Sequence, residues 1–184
     1  IDLVDTEDYK KSKGYREGLK ALRKDVQIER GGLELTERLH AMISLTEDYK
    51  NINLRGTEYF NRLVNEFKDD CLITIAYLDF EEGLKNSEER LEDIIEKDIE
   101  FMKEQLKKYK RKDIAALIGL KNGTKSELLY AGMDRDFQKY AGSYVNYVDA
   151  IDWSQEKGVN LVSFGGNSGM FNHGIDKFKV NFDP

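Results

Sequence analysis

The sequence predicts a mixed α/β (α+β) domain with a helical arm inserted between two of its strands. Three observations carry that expectation. Two short, continuously apolar runs, 72–78 and 114–120, read as central strands covered on both faces. Apolar residues recur at helical spacing on either side of them, and a highly charged, proline-free stretch lies between them.

Each element follows from local pattern. GYREGLKALRKDVQIER offers a short basic helix around Leu19 and Leu22, then a strand at 26–29 closed by Gly31 and Gly32, so that 1–30 forms a lead-in segment. Leu35, Leu39, Met42, Ile43 and Tyr49 form one stripe, predicting a helix from Leu33 to about Asp48. After the linker KNINLRG, Thr57 has the N-cap chemistry for a second helix whose Phe60, Leu63, Val64 and Phe67 share a face. SELLYAG, following the turn KNGTK, makes a hairpin with the second central strand.

Phe137, Tyr140, Ala141, Tyr144, Tyr147, Val148 and Ile151 then predict one long helix stopped at Gly158. Trp153 projects opposite that stripe, beside Asn146 and Asp149, and predicts a second packing partner there, either a missing domain or the arm. A last strand at 159–164 runs into GGNSG, and FKVNF reads as a strand with Lys177 and Lys179 on one face.

Within the arm, Leu84, Leu91, Ile95, Met102, Leu106 and Tyr109 approximate a heptad-like seam. The flanking strands should be neighbours, so the arm goes out and returns, as a helical hairpin or as one long helix with an extended return. The expected division is 1–30, a body of 31–79 and 114–184, and the arm at 80–113.

Composition narrows the function. The 184 residues are 40% hydrophobic, enough for one core, and the net charge of −6 argues against a simple nucleic-acid-coating protein. Cys71 alone forms no internal disulfide and fits a reducing compartment. No apolar stretch reaches bilayer-spanning length and the start lacks signal-peptide features, which together predict a cytosolic protein. The start at Ile1 and the end at FKVNFDP predict a piece of a longer chain. His40 and His173, with one cysteine, give no metal-ligand spacing. Gly165, Gly166 and Gly169 read as a tight turn or as a nest for phosphate.

The most specific pattern is C-terminal. YAGMDRDFQKYAGSYVNYVDAIDWSQEKGVNLVSFGGNSGMFNHGIDKFKVNF contains Tyr-Ala-Gly, a Gly-Ser-Tyr helix, a strand running into Gly-x-x-Gly, and a final Phe-Lys pair. With TEDYKNINLRGTEYF upstream, it resembles the FemABX family of peptidoglycan interpeptide-bridge aminoacyltransferases from about Val26 onward. Members have two domains similar to the Gcn5-related acetyltransferases, and this chain resembles the second.

The resemblance implies a Gcn5-related acetyltransferase-like mixed sheet with packed helices and an inserted coiled-coil-like arm. It implies transfer of an amino acid from aminoacyl-tRNA to the amino group of a peptidoglycan precursor stem peptide or growing bridge, without a cofactor. By position, Arg55, Tyr59 and Tyr130 match residues that contact the precursor, and Phe178 and Lys179 match the pair at the reacting centre.

The chemistry suits those types. A guanidinium holds phosphate by its planar fork, a phenol one helical turn away reaches the same ligand, and a fixed ammonium stabilises the oxyanion formed when an amine attacks an ester. The implied partners are aminoacyl-tRNA, a nucleotide-linked or lipid-linked precursor, a preceding domain of the same chain, a homo- or hetero-oligomer through the arm, and a peripheral membrane contact. The fragment alone is expected to be inactive.

Two other readings stay open. An acetyl-CoA-dependent N-acetyltransferase would need a pyrophosphate-binding loop, and no Gln/Arg-x-x-Gly-x-Gly/Ala pattern is present. A non-catalytic interaction module would use the arm, whose basic end KEQLKKYKRK reads as a solvated face or as a tRNA contact.

Overall fold

The two apolar runs pair at the centre of a five-stranded sheet of order β1-β2-β3-β4-β5. The computed structural model describes residues 6–89, 96–165 and 174–182. In chain order the elements are α1 (Thr6–Lys10), α2 (Lys13–Arg23), β1 (Val26–Gly31), α3 (Thr36–Lys50), α4 (Thr57–Phe67), β2 (Cys71–Asp79), α5 (Phe80–Glu89), α6 (Glu96–Leu106), β3 (Arg111–Asn122), β4 (Lys125–Met133), α7 (Gly142–Glu156), β5 (Leu161–Ser163) and α8 (Gly174–Val180). Strands β1 to β4 are antiparallel neighbours, whereas β4 and β5 run parallel. The expected mixed α/β architecture is present.

Both sheet faces are covered, which is why the central strands are continuously apolar. Ile73, Ile75, Ala116 and Ile118 meet Leu39, Ile43 and Phe60 from α3 and α4. On the other face, Leu72 and Leu117 lie in a cluster with Val148, Ile151 and Trp153 of α7.

The β4 edge is irregular. Tyr130 pairs with Ile118 but Leu128 pairs with Gly119, so Leu129 is left over as a bulge. Pairing of β4 with β5 covers only Lys125↔Leu161, Ser126↔Val162 and Glu127↔Ser163, and stops where the bulge begins. A bulge bends its strand, and here the bend coincides with the point where the parallel neighbour is released.

Three expectations need correction. The single long helix is two: 135–140 form a 3-10 turn, Ala141 adopts a left-handed φ of 56°, and α7 starts at Gly142. The break lets Gly142 press on β3, where an added Cβ would lie 2.9 Å from the Ile114 side chain, while Phe137 and Tyr140 enter the cluster of Phe80 and Met102.

Trp153 needs no absent partner. It is 6% exposed, in a cluster with Tyr9, Leu117, Leu128 and Val162 of this chain. The polar stripe of α7 faces the sheet: the Thr74 hydroxyl donates to Asp149 at 2.7 Å, and Arg30 Nε donates to the same carboxylate at 2.9 Å. Burial, opposed by those contacts, still raises the Asp149 carboxyl above its ordinary value. The aromatic stripe instead meets α2 and α8, with Val148 filling the space over Gly18.

FKVNF lies in and just after α8, not in a strand. Phe178 and Phe182, four residues apart, both enter the aromatic cluster beneath the helix, while Lys177 is exposed and Lys179 half-buried.

Helices α5 and α6 lead out of β2 and back into β3. They lie against the body, with Phe80 and Met102 buried beside Ala21 and Val26, and Lys139 pairs with Asp98 at 2.8 Å. Seam positions Leu91 and Ile95 fall outside the described residues, as do His173 and the GGNSG turn beyond Gly165. Cys71 is a free, buried thiol that burial pushes up to about 12.

Two stability outcomes follow. A Cβ at Gly132 would overlap the Met42 backbone carbonyl of α3, so Gly132→Ala should cost about 3 kcal/mol and lower Tm by roughly 6–12 °C, read by thermal denaturation. Burial, and then the neighbouring Asp149 carboxylate, push Asp152 up to about 6. A raised acid pKa means the folded state takes up the proton first, so this group's stabilisation is present at low pH and is lost as pH rises through about 6. Asp152→Asn should therefore raise stability at pH 7 on the order of 1–2 kcal/mol, with less gain at pH 4, measured by urea denaturation at both pH values.

Candidate functional site

Helix α4 is held down by Phe60 and Val64, both buried against β2 and α3. That anchoring turns Tyr59 toward the protruding side of β4, where the bulge presents Tyr130. The rings of Tyr59 and Tyr130 meet edge to face, with centroids 5.9 Å apart at 83°, and Phe60 closes the triangle at 5.5 Å from Tyr130. Arg55, exposed in the linker before α4, lies with its guanidinium carbon 5.3 Å from the Tyr59 ring centroid.

The electrostatics of Tyr59 register this crowding. Hydrogen bonding with Tyr130, then burial, raise its phenol above the ordinary value, while the charges of Arg55 and Arg62 pull the other way. A cleft of about 370 Å³ opens next to it, lined by Tyr59, Arg62, Leu63, Asn65, Glu66 and Phe67.

Lys179 is placed separately, by α8. Its ammonium donates to the Gly165 carbonyl at 3.2 Å, just beyond the end of β5. Gly165 has a φ of 71°, and a Cβ there would lie 3.4 Å from the Leu128 carbonyl. Lys179 therefore reaches the place where β4 and β5 part, beside a strand residue two positions before Tyr130. Phe178 turns the other way and packs against Tyr144 and Tyr147, with centroids 4.7 and 4.9 Å away.

The structure thus gathers Arg55, Tyr59 and Tyr130 into one group, brings Lys179 to the β4–β5 divergence, and places Phe178 in the aromatic cluster under α7. Sequence reasoning passed over Arg62, although it follows Tyr59 by three residues and shares its helix face. Among the described residues no group of three or more His, Cys, Asp or Glu could hold a metal ion, and no helix is long and apolar enough to cross a membrane. His40 sits 3.5 Å from the Ser44 hydroxyl on its own helix.

The mixed sheet, in which a bulged antiparallel strand releases a parallel neighbour, is similar in fold to several solved structures, acetyltransferases among them. An aminoglycoside acetyltransferase from an uncultured soil metagenomic sample, solved with sisomicin, superposes with a TM-score of 0.53 at 14% identity over 87% of this chain and 89% of its own. The tetramutant of the BH1408 protein from Bacillus halodurans gives 0.51 at 8% identity over 83% and 89%. The crystal structure of FemX matches with a TM-score of 0.78 at 16% identity, over 97% of this chain and 55% of that one. The sequence profile of the FemAB family matches residues 6–97 and 85–184, and the chain belongs to that family. It spans about half the length of the FemX chain. A search of curated proteins finds no match.

The Tyr59–Tyr130 contact has a direct spectroscopic consequence. Since hydrogen bonding with Tyr130 is the largest cause of the raised Tyr59 pKa, Tyr130→Phe should bring that phenol back down toward its ordinary value. Ultraviolet titration read against Tyr59→Phe isolates the group, and an unmoved transition would show that the two hydroxyls do not interact.

Proposed function

We propose that this chain is the acceptor-binding half of an aminoacyltransferase that moves an amino acid from aminoacyl-tRNA to an amino group of a peptidoglycan precursor in the cytoplasm. Membership of the FemAB family supports this reading. The observation that carries it is the Arg55, Tyr59 and Tyr130 group: an exposed guanidinium and two phenols gathered beside an open cleft in a chain of net charge −6. In an acidic protein such a group attracts a specific anion, and the precursor's phosphates supply one.

In this reading Arg55 and the two hydroxyls hold the precursor by its phosphates, and its peptide extends along β4 toward the divergence from β5. The acceptor's free amine attacks the carbonyl carbon of the aminoacyl ester. A C–N bond forms, and negative charge collects on the carbonyl oxygen, where the Lys179 ammonium stabilises it. The intermediate then collapses with cleavage of the ester C–O bond, the tRNA hydroxyl leaves with the proton shed by nitrogen, and an amide remains. Phe178 acts at one remove, by fixing α8 against Tyr144 and Tyr147 so that Lys179 keeps its place.

The coenzyme A reading finds less support at the start of α7. Asp134 caps the preceding turn by accepting from the Asp136 N–H at 3.0 Å and also pairs with Lys112 at 2.9 Å. These contacts belong to the turn before α7, and the sequence leading into α7 carries no Gln/Arg-x-x-Gly-x-Gly/Ala loop for a pyrophosphate. The interaction-module reading loses part of its seam, because Met102 is buried against the body.

In the full-length protein, Lys179→Ala should lower kcat by about two to three powers of ten with little change in KM for the precursor. Arg55→Ala should instead raise that KM by roughly tenfold or more. Steady-state kinetics with charged tRNA and precursor read both, and wild-type constants in the two variants would defeat the assignment.

A further inference from the structure

Helix α8 carries Lys179 but is too short to hold itself. It has seven residues, and an isolated helix that short is marginal in water, so its place is set by what grips its ends. The grip lies in the turn that follows it. Asn181 N–H donates to the Phe178 carbonyl at 3.1 Å and Phe182 N–H donates to the Lys179 carbonyl at 3.0 Å, so this turn is closed on the backbone of Lys179 itself.

Asn181 ties the turn to two other helices. Its side-chain amide donates to the Tyr144 hydroxyl of α7 at 2.8 Å, and its backbone carbonyl accepts from the Gly14 N–H at the start of α2. Phe182, fully buried, lies against Gly14, where a Cβ would overlap its ring. At the far end of the lysine side chain, the ammonium donates to the Gly165 carbonyl at 3.2 Å. Lys179 is thus held twice, once at its ammonium and once two residues further along its backbone.

We propose that Asn181 is a positioning residue for Lys179, and that Tyr144 and Gly14 act through it to hold the ammonium at the β4–β5 divergence. This inference rests on the oxyanion role proposed for Lys179 and deepens it. A fixed charge helps a developing oxyanion only where it already stands, and a misplacement of about 1 Å can cost on the order of 10²-fold in rate. Packing of Phe178 and Phe182 is non-directional and lets α8 slide or roll over α7, whereas the two directional hydrogen bonds of Asn181 remove that freedom.

The test is steady-state kinetics of the full-length protein with charged tRNA and precursor. Asn181→Ala should lower kcat ~10- to 100-fold with little change in KM for the precursor. Tyr144→Phe, which keeps the ring and removes only the hydroxyl, should act in the same direction, and it carries the same comparison where Asn181→Ala does not fold. In a Lys179→Ala background neither substitution should have a further effect, because a residue that acts through the ammonium has nothing to position once that group is gone. Ultraviolet titration gives a reading free of turnover. Burial raises the Tyr144 phenol and the Asn181 amide opposes that rise, so Asn181→Ala should move the transition further up, as isolated against Tyr144→Phe.

Wild-type kcat in Asn181→Ala and Tyr144→Phe, with a loss in Lys179→Ala, overturns this inference and leaves the role of Lys179 standing. So does an unmoved phenol transition, or an equal fall of kcat with and without Lys179, which marks a contact that serves folding alone. Wild-type kcat in Lys179→Ala overturns both.

Discussion

The parting of β4 from β5 is the constraint on which the rest of the molecule depends. Parallel pairing lasts three residues on each strand, Lys125 to Glu127 against Leu161 to Ser163, and ends at the bulge that leaves Leu129 without a partner on β3. One extra residue in one strand has two effects. It turns Tyr130 onto the α3–α4 side, where Tyr59 and Phe60 receive it, and it opens an edge where Gly165 and Lys179 can approach the backbone. Without the bulge, alternation along β4 would send the Tyr130 ring to the opposite face, away from Tyr59.

The charges are divided in the same way. Along the edges of the layers, arginine is tied to carboxylate: Arg30 and Thr74 hold Asp149 between β1, β2 and α7, and Arg38 of α3 binds Asp113 of β3 through two nitrogens at 2.7 Å each. Both arginines keep about a third of their side chains exposed, so solvent screens part of the charge left behind when one partner is removed. These arginines hold layers together. Arg55, in the linker before α4, and Arg62, on α4, are exposed and make no ion pair among the described residues, an arrangement that adds little to folding and leaves the charge available to a ligand.

Legibility in the sequence followed burial. Strands β2 and β3 are covered on both faces, so they appear as unbroken apolar runs, and helices α3 and α4, covered on one face, appear as stripes. Helix α7 misled for the converse reason: with the sheet on one side and α2 and α8 on the other, its most apolar stripe does not face the sheet, and Asn146, Asp149 and Trp153 do. In α8, alternation of Phe178, Val180 and Phe182 imitates a strand, although the pair that packs is Phe178 and Phe182 at helical spacing. Within the site, Arg55, Tyr59 and Tyr130 were legible through the resemblance to the FemABX family, whereas the bulge that brings Tyr130 to Tyr59 arises from pairing between distant strands, which no local pattern encodes.

The central claim is that the precursor binds on α4 and the bulged part of β4. Hydrogen exchange of the full-length protein with and without the nucleotide-linked or lipid-linked precursor tests it most directly. Slowed exchange in the amides of 56–60 and 128–131, with α5 and α6 unchanged, is the predicted result. Protection confined to α5 and α6, or none at either segment, would contradict it.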